Sequence, residues 1–274
     1  MRRISPASYC RSGKDSVNGW LARTDAEMIS CLLATQTARG YRGAVAEVGV
    51  HHGKSFILLA LCNLPEPCYA IDIFGQQSLN IDGSGKGDKQ IFLAHLARHG
   101  VPAKQIVIDE RLSGDVSAQD IITRAGHTRF FHIDGGHHLE AISHDLRLAE
   151  ATMTGHGIIA VDDVFRPEWP EVSMGTFAHL ASPQSQLTIF AIGFNKTYLC
   201  RKEHAPAYRA ALLSNDFLRM FLGKTYRVGR EEIVVYQQYP LPEWRLRQRL
   251  LHHLKTYHPD LAYGLARLKR LLRR

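Results

Sequence analysis

Much of what this 274-residue sequence lacks is informative. No apolar run approaches the roughly 20 residues a helix needs to cross a bilayer, so no membrane span is expected. The five cysteines (Cys10, Cys31, Cys62, Cys68 and Cys200) form no Cys-x-x-Cys pair, and their odd number argues against a disulfide framework. Free thiols in a reduced compartment are the simplest reading. The opening residues, MRRISPASYC, carry charge but no apolar stretch, so no secretory leader is expected and the expected location is cytoplasmic. Low-complexity tracts and internal repeats are missing too. With 45% hydrophobic and 22% charged residues, the chain suits one α/β domain with a substantial core plus an appendage.

Acidic residues are scarce in one region. Between Leu241 and Arg274, nine Lys or Arg are set against Glu243 and Asp260 alone, so this tail holds +7 of the chain's formal +8. Its leucines (Leu246, Leu250, Leu254, Leu261, Leu265, Leu268 and Leu272) recur every three or four residues with Tyr257, and Pro259 divides the pattern. A basic amphipathic helical tail over 241–274 is expected, beginning after Pro240 and Pro242. Three outlets are open to it: packing on the domain, a homo-oligomer contact, or peripheral contact of 243–274 with an anionic inner membrane surface. Nucleic acid is not expected as a partner, because the charge is confined to the tail and no basic–aromatic surface interleaves in the body.

Before the tail, apolar β-rich runs alternate with helical periodicity. Strands are expected over 43–50, 68–74, 104–110, 129–136 and 157–164, with an antiparallel pair over 187–193 and 196–202. Helices are expected over 25–38, 55–64, 89–100 and 117–126, and another along Leu139, Ile142, Leu146 and Ala149. This alternation implies an α/β, Rossmann-like, doubly wound, mostly parallel sheet of seven strands with an antiparallel edge hairpin. Ligands in such sheets bind beyond the carboxyl ends of the strands.

The first such end reads AEVGVHHGKS (46–55). Its Gly-Lys-Ser ending suggests a phosphate loop, which would make the chain a nucleotide-binding module. That loop needs four residues between its glycines, however, and Gly49 and Gly53 are separated by three. A dinucleotide fingerprint fails as well, because Glu47 and His51 stand where glycines are needed. What remains is Glu47-x-Gly49-x-x-x-Gly53-x-Ser55 between a strand and a helix. It resembles motif I of class I S-adenosylmethionine-dependent methyltransferases. Asp72 closes the second strand 23 residues after Gly49, where a carboxylate can accept the ribose hydroxyls of an adenosyl group. The plain alternative is that Asp72 serves only its own turn.

Strands four and five both run into acids. FFHIDGGHHLEAISHDL places Asp134, His137 and His138 after one strand, and IIAVDDVF places Asp162 and Asp163 after the other. Three carboxylates on one rim repel unless a cation, protons or solvent relieve them; a hard divalent ion is one solution. Helix capping by Asp134 and a loop role for Asp163 are the structural alternatives.

The Asp134-x-x-His137 and Val161-Asp162-Asp163-Val164 pair resembles the metal-dependent O-methyltransferases, including the catechol O-methyltransferase group. The likeness is greater to a bacterial family of macrolide-sugar O-methyltransferases, which the stretch FGQQSLNIDGSGKGDKQIFLAHLARHG also resembles. The resemblance covers about residues 40–200. It implies an S-adenosylmethionine-binding domain over 41–240, preceded by a helical segment over 1–40.

It also implies S-adenosyl-L-methionine at Glu47, Gly49, Gly53, Ser55, Asp72, Ser113 and Asp134. A divalent metal, Mg²⁺ by expectation, would sit on Asp134, Asp162 and Asp163. The catechol group's base is a lysine at the position of His137. A histidine, with an unperturbed pKa of about 6.5, can take that role, and so can the neighbouring His138. The acceptor implied is a small molecule with a free hydroxyl, a sugar or glycoside first. An RNA methyltransferase and a non-catalytic binding module are the rival functions. NIDGSGKGD (80–88) reads either as a lid bringing Lys86 or Lys89 to the substrate or as a plain flexible loop, and Trp169 either as part of a substrate wall or as a packing residue.

Overall fold

The computed structural model describes residues 3–228 and 231–238, together with Leu250, His253, Leu254, His258 and Leu261. In chain order these form α1 (Pro6–Arg11), α2 (Arg23–Ala38), β1 (Ala44–Val48), α3 (Lys54–Asn63), β2 (Cys68–Ile71) and α4 (Lys89–Arg98). Then follow β3 (Ile106–Asp109), α5 (Ala118–Ala125), β4 (Thr128–Ile133), α6 (Leu139–Thr152), β5 (Met153–Asp162) and α7 (Pro170–Ala181). Last come β6 (Leu187–Ile192), β7 (Lys196–Arg201), α8 (Ala205–Ser214), α9 (Asp216–Arg219), β8 (Leu222–Val228) and β9 (Glu231–Tyr236).

Local chemistry sets several of these boundaries. Ser117 and Asp120 close a reciprocal capping box on α5, and the Asp88 side chain accepts from Ile91 N at 2.9 Å to start α4. α3 is apolar almost all round and correspondingly buried, packed between β1 and α2.

The strands make one mostly parallel sheet in the order β3-β2-β1-β4-β5-β7-β6-β9-β8. The expected antiparallel pair is β6 and β7. The sheet then continues past the seven expected strands: β9 pairs parallel to β6, and β8 lies antiparallel at the edge. β8 escaped the sequence reading because it is largely exposed and carries Lys224 and Arg227, so it shows no apolar run. The basic tail expected over 241–274 lies outside the described residues, apart from a few scattered positions. No helix among the described residues is long and apolar enough to cross a membrane.

Two apolar layers sandwich the sheet. One joins Leu32 of α2, Phe56 of α3 and Phe92 of α4 to Val45 and Phe130, and the other joins Ile121, Ile142 and Val172 of α5, α6 and α7 to Ala46 and Phe131. Strand order reverses around β1, which pairs with β2 on one side and β4 on the other, and this opens a crevice beyond their carboxyl ends. Register aligns the rim of that crevice. Val48 lies opposite both Ile71 and Ile133, Ile133 opposite Val161, and Asp162 opposite Lys196. The residues leaving the strands, Gly49, Asp72 and Asp134, therefore line up with Asp162.

Candidate active site

Glu47 enters the site fully buried on β1. Its Oε1 accepts the Ser55 hydroxyl and lies 3.0 Å from His132 Nδ1, whereas Oε2 has no partner. Beyond β1 the backbone turns through Gly49 (φ +81°) and Gly53 (φ +89°). A Cβ on Gly49 would stand 1.7 Å from the Asp134 carbonyl oxygen, and one on Gly53 would stand 2.7 Å from the Phe92 ring. Close approach therefore demands both glycines, and the turn presents bare backbone at the start of α3. The Gly-Lys-Ser ending is spent inside the fold. Lys54 Nζ donates to the Gly19 carbonyl at 2.9 Å, and Ser55 is held by Glu47.

Asp72 ties down two neighbouring turns. Its Oδ2 accepts from His51 N at 2.6 Å and its Oδ1 from Phe74 N at 2.5 Å. Both partners are strained, with φ of +54° and +45°. Burial raises the Asp72 pKa against the pull of these backbone bonds. Each carboxylate oxygen retains a second lone pair. The 80–88 segment crosses directly over it: a Cβ on Gly87 would lie 3.1 Å from Asp72 Oδ1.

The two adjacent aspartates of the fifth strand part company. β5 ends at Asp162, and Asp163 leaves it in the left-handed region with φ +62°. Asp162 Oδ1 takes a 2.5 Å bond from Lys196 Nζ and lies 3.1 Å from His132 Nε2. Lys196 is only 2% exposed. Its ammonium also lies 2.8 Å from His132 Nε2. Burial and the Lys196 charge oppose a charged imidazole there, but Glu47 and Asp162 on either side outweigh them and raise the His132 pKa to about 9. Burial opposes the charge on Asp162, but Lys196 outweighs it and holds the carboxyl well below the usual range. Asp134 is the opposite case: burial, then the Asp162 charge beside it, push its pKa up.

Asp163 faces the other way. It accepts from Asn195 Nδ2 at 2.9 Å and lies 3.2 Å from His137 Nε2. The second nitrogen of His137, Nδ1, is 2.8 Å from Asp82 Oδ2, which also accepts the His137 backbone N–H at 2.8 Å. Burial would lower the His137 pKa, but the bonds to Asp163 and Asp82 prevail and raise it. Burial likewise opposes the Asp82 charge, yet hydrogen bonds from Ser84 and His137 hold its carboxyl at about 2. The 80–88 segment thus reaches the site through Asp82, whereas Lys89 pairs with Glu110 at 2.7 Å. Trp169 stacks on the His137 imidazole itself, with centroids 4.2 Å apart at 17°.

Ligand atoms from Asp134, His137 and Asp163 converge within 4.8 Å of one another, as do those of His132, Asp134 and Asp162. The second group already holds the Lys196 ammonium, which repels a further cation. His138 sits at the amino end of α6 with Nδ1 buried and unpartnered. Ser113 opens a short 3₁₀ turn after β3, half-buried.

Residues 46–164, which carry nearly all of these groups, match the family model described as a methyltransferase domain. Solved structures agree on the fold. The O-methyltransferase NovP is similar over 64% of this chain and 78% of its own, at 14% identity and a TM-score of 0.55. An O-methyltransferase from Bacillus cereus, solved in complex with SAH, is similar over 73% of this chain and 91% of its own, at 14% identity and a TM-score of 0.51. Comparison with curated proteins finds no match.

Three residues of the candidate site were missed in the sequence: His132, Lys196 and Asp82. His132 sits inside an apolar strand run, and Lys196 opens β7 directly after a turn, where a charge reads as solvent-facing. Asp82 belongs to a loop whose lysines drew attention first. Gly49→Ala is expected to disable the domain, because the methyl group would overlap the Asp134 carbonyl at a left-handed position. A loss of about 3 kcal/mol or more follows from the overlap and the backbone strain. Thermal melting and titration with S-adenosylhomocysteine check it; an unchanged melting temperature with intact binding would refute the close approach.

Proposed function

We propose that the domain transfers the methyl group of S-adenosylmethionine to a hydroxyl oxygen of a small-molecule acceptor, and that a sugar or glycoside hydroxyl is the acceptor. The supporting observation is adjacency: the Gly49–Gly53 turn with Asp72 lies on the same rim as the convergent Asp134, His137 and Asp163. The cofactor's reading rests on two features of the turn. Close packing there admits no side chain at Gly49, and the orphaned Glu47 Oε2 is a buried anionic acceptor suited to the α-ammonium of the methionine portion. Asp72, under the 80–88 segment, would take the ribose.

A divalent ion fits Asp134 and Asp163, whose carboxylates converge beside His137, and would there polarise the acceptor hydroxyl as a Lewis acid. Asp162 is a poor third ligand because Lys196 already neutralises it. His137 Nε2 takes the proton of the acceptor hydroxyl, and Asp82 on Nδ1 steadies the imidazolium that results. The alkoxide then forms an O–C bond as the sulfonium C–S bond breaks in line, with S-adenosylhomocysteine as leaving group. Alignment is the protein's main contribution, since the methyl arrives already activated.

Calorimetric titration with S-adenosylhomocysteine, beside Mg²⁺-ATP and NAD, tests the cofactor: micromolar binding of the first alone is expected. Methyl transfer to a glycoside panel should then fall at least tenfold with EDTA and return with Mg²⁺. Undiminished turnover in chelator would remove the metal from the scheme and leave His137 and Asp82.

A further inference from the structure

A groove of about 500 Å³ opens beside this rim, between α7 and the face of β6, β9 and β8. The β8–β9 hairpin, which lies beyond the seven expected strands, builds one wall with Tyr226, Val228 and Val235. Phe165, Phe177 and Phe194 stand at the other side, and all three are substantially exposed, as are Tyr226 and Val228. That many exposed apolar side chains around one concavity mark a binding surface and not scattered surface residues. Volume and lining match small-molecule sites, which are mainly apolar with a few placed polar groups.

Two observations say what the groove receives. First, its polar end is the reaction rim: Asn195 lines the groove and donates to Asp163, and Arg166 lies 3.7 Å from the same carboxylate. Second, Thr197 lines the groove 1% exposed, and its hydroxyl has no partner. A buried orphan hydroxyl costs stability until a ligand satisfies it.

We infer that the groove holds the apolar ring body of the acceptor, so that the substrate class is an aryl or fused-ring glycoside whose sugar hydroxyl reaches Asp163 and His137 while its aglycone lies between Phe177 and Tyr226. The inference rests on the hydroxyl-transfer reading above. Four aromatic side chains at the walls favour flat rings over a flexible alkyl chain, because rings stack at small entropic cost.

The test is a titration of the full chain, saturated with S-adenosylhomocysteine, with 2-naphthyl β-D-glucoside and with methyl β-D-glucoside. The naphthyl compound is expected to bind at least tenfold tighter, in keeping with the apolar area it buries. Tyr226→Asp and Val228→Asp, at exposed positions that tolerate charge, should each weaken it about tenfold and leave S-adenosylhomocysteine affinity unchanged. Thr197→Val should weaken it about threefold without lowering the melting temperature, since no intramolecular bond is lost. Equal affinity for the two glucosides, no binding of the naphthyl compound, or binding indifferent to all three substitutions would overturn the inference. Failure of S-adenosylhomocysteine itself to bind would instead count against the cofactor reading, and naphthyl binding would remain separately measurable.

Discussion

Lys196→Met is expected to destabilise the protein by about 3–5 kcal/mol, the usual cost of stripping one partner from a buried ion pair. The substitution leaves Asp162 buried with the His132 imidazole and an asparagine amide nearby, and Asp134 and Asp25 lose the same neutralising charge. At this chain length the loss lowers the melting temperature by on the order of 10 °C. Adding Asp162→Asn should recover most of it, because removing both charges of a buried pair costs little when shape is kept. Urea denaturation of the single and double variants measures the coupling. A single substitution costing under about 1 kcal/mol, or a double no better than the single, would show that solvent rather than Lys196 neutralises Asp162.

His137→Gln is expected to lower kcat by about a thousandfold, within the range that a positioned general base supplies. S-adenosylhomocysteine affinity should stay within about twofold, since His137 lies on the acceptor side of the rim. The pH profile carries the sharper signature. The base must be neutral to accept a proton, and Asp163 and Asp82 raise its pKa, so activity should climb with pH and reach half its maximum above the ordinary histidine value of about 6.5. Asp82→Asn removes one of the two carboxylates favouring the imidazolium, so the midpoint should move to lower pH while kcat falls. Activity flat between pH 5 and 8, or a midpoint unmoved in Asp82→Asn, would exclude His137 as the group that titrates.

Most of the scaffold was legible in the sequence because it is written locally. Short continuous apolar runs mark strands buried on both faces and period-3.6 stripes mark the helices, and their alternation already implies a parallel sheet. The three-residue spacing of Gly49 and Gly53 excluded the triphosphate loop, and the structure agrees by committing Lys54 and Ser55 to Gly19 and Glu47. Acids at the carboxyl ends of strands marked the rim for the same local reason.

What only the tertiary structure decided are the partnerships across the rim. Asp162 and Asp163 look like one pair in the sequence, yet the left-handed φ at Asp163 sends one carboxylate to Lys196 and the other to His137. Lys196 lies 34 residues from Asp162, and Asp82 lies 55 residues from His137. The β8–β9 hairpin that walls the groove is more distant still, with β8 beginning 59 residues after Asp163. Composition and periodicity carry no information on such pairings, because they depend on sheet register, and a slip of one residue turns a side chain to the opposite face. The sequence by itself determined the sheet, the glycine turn and the acidic rim; strand register and loop closure decided which acid is neutralised, which faces the imidazole, and where an acceptor can lie.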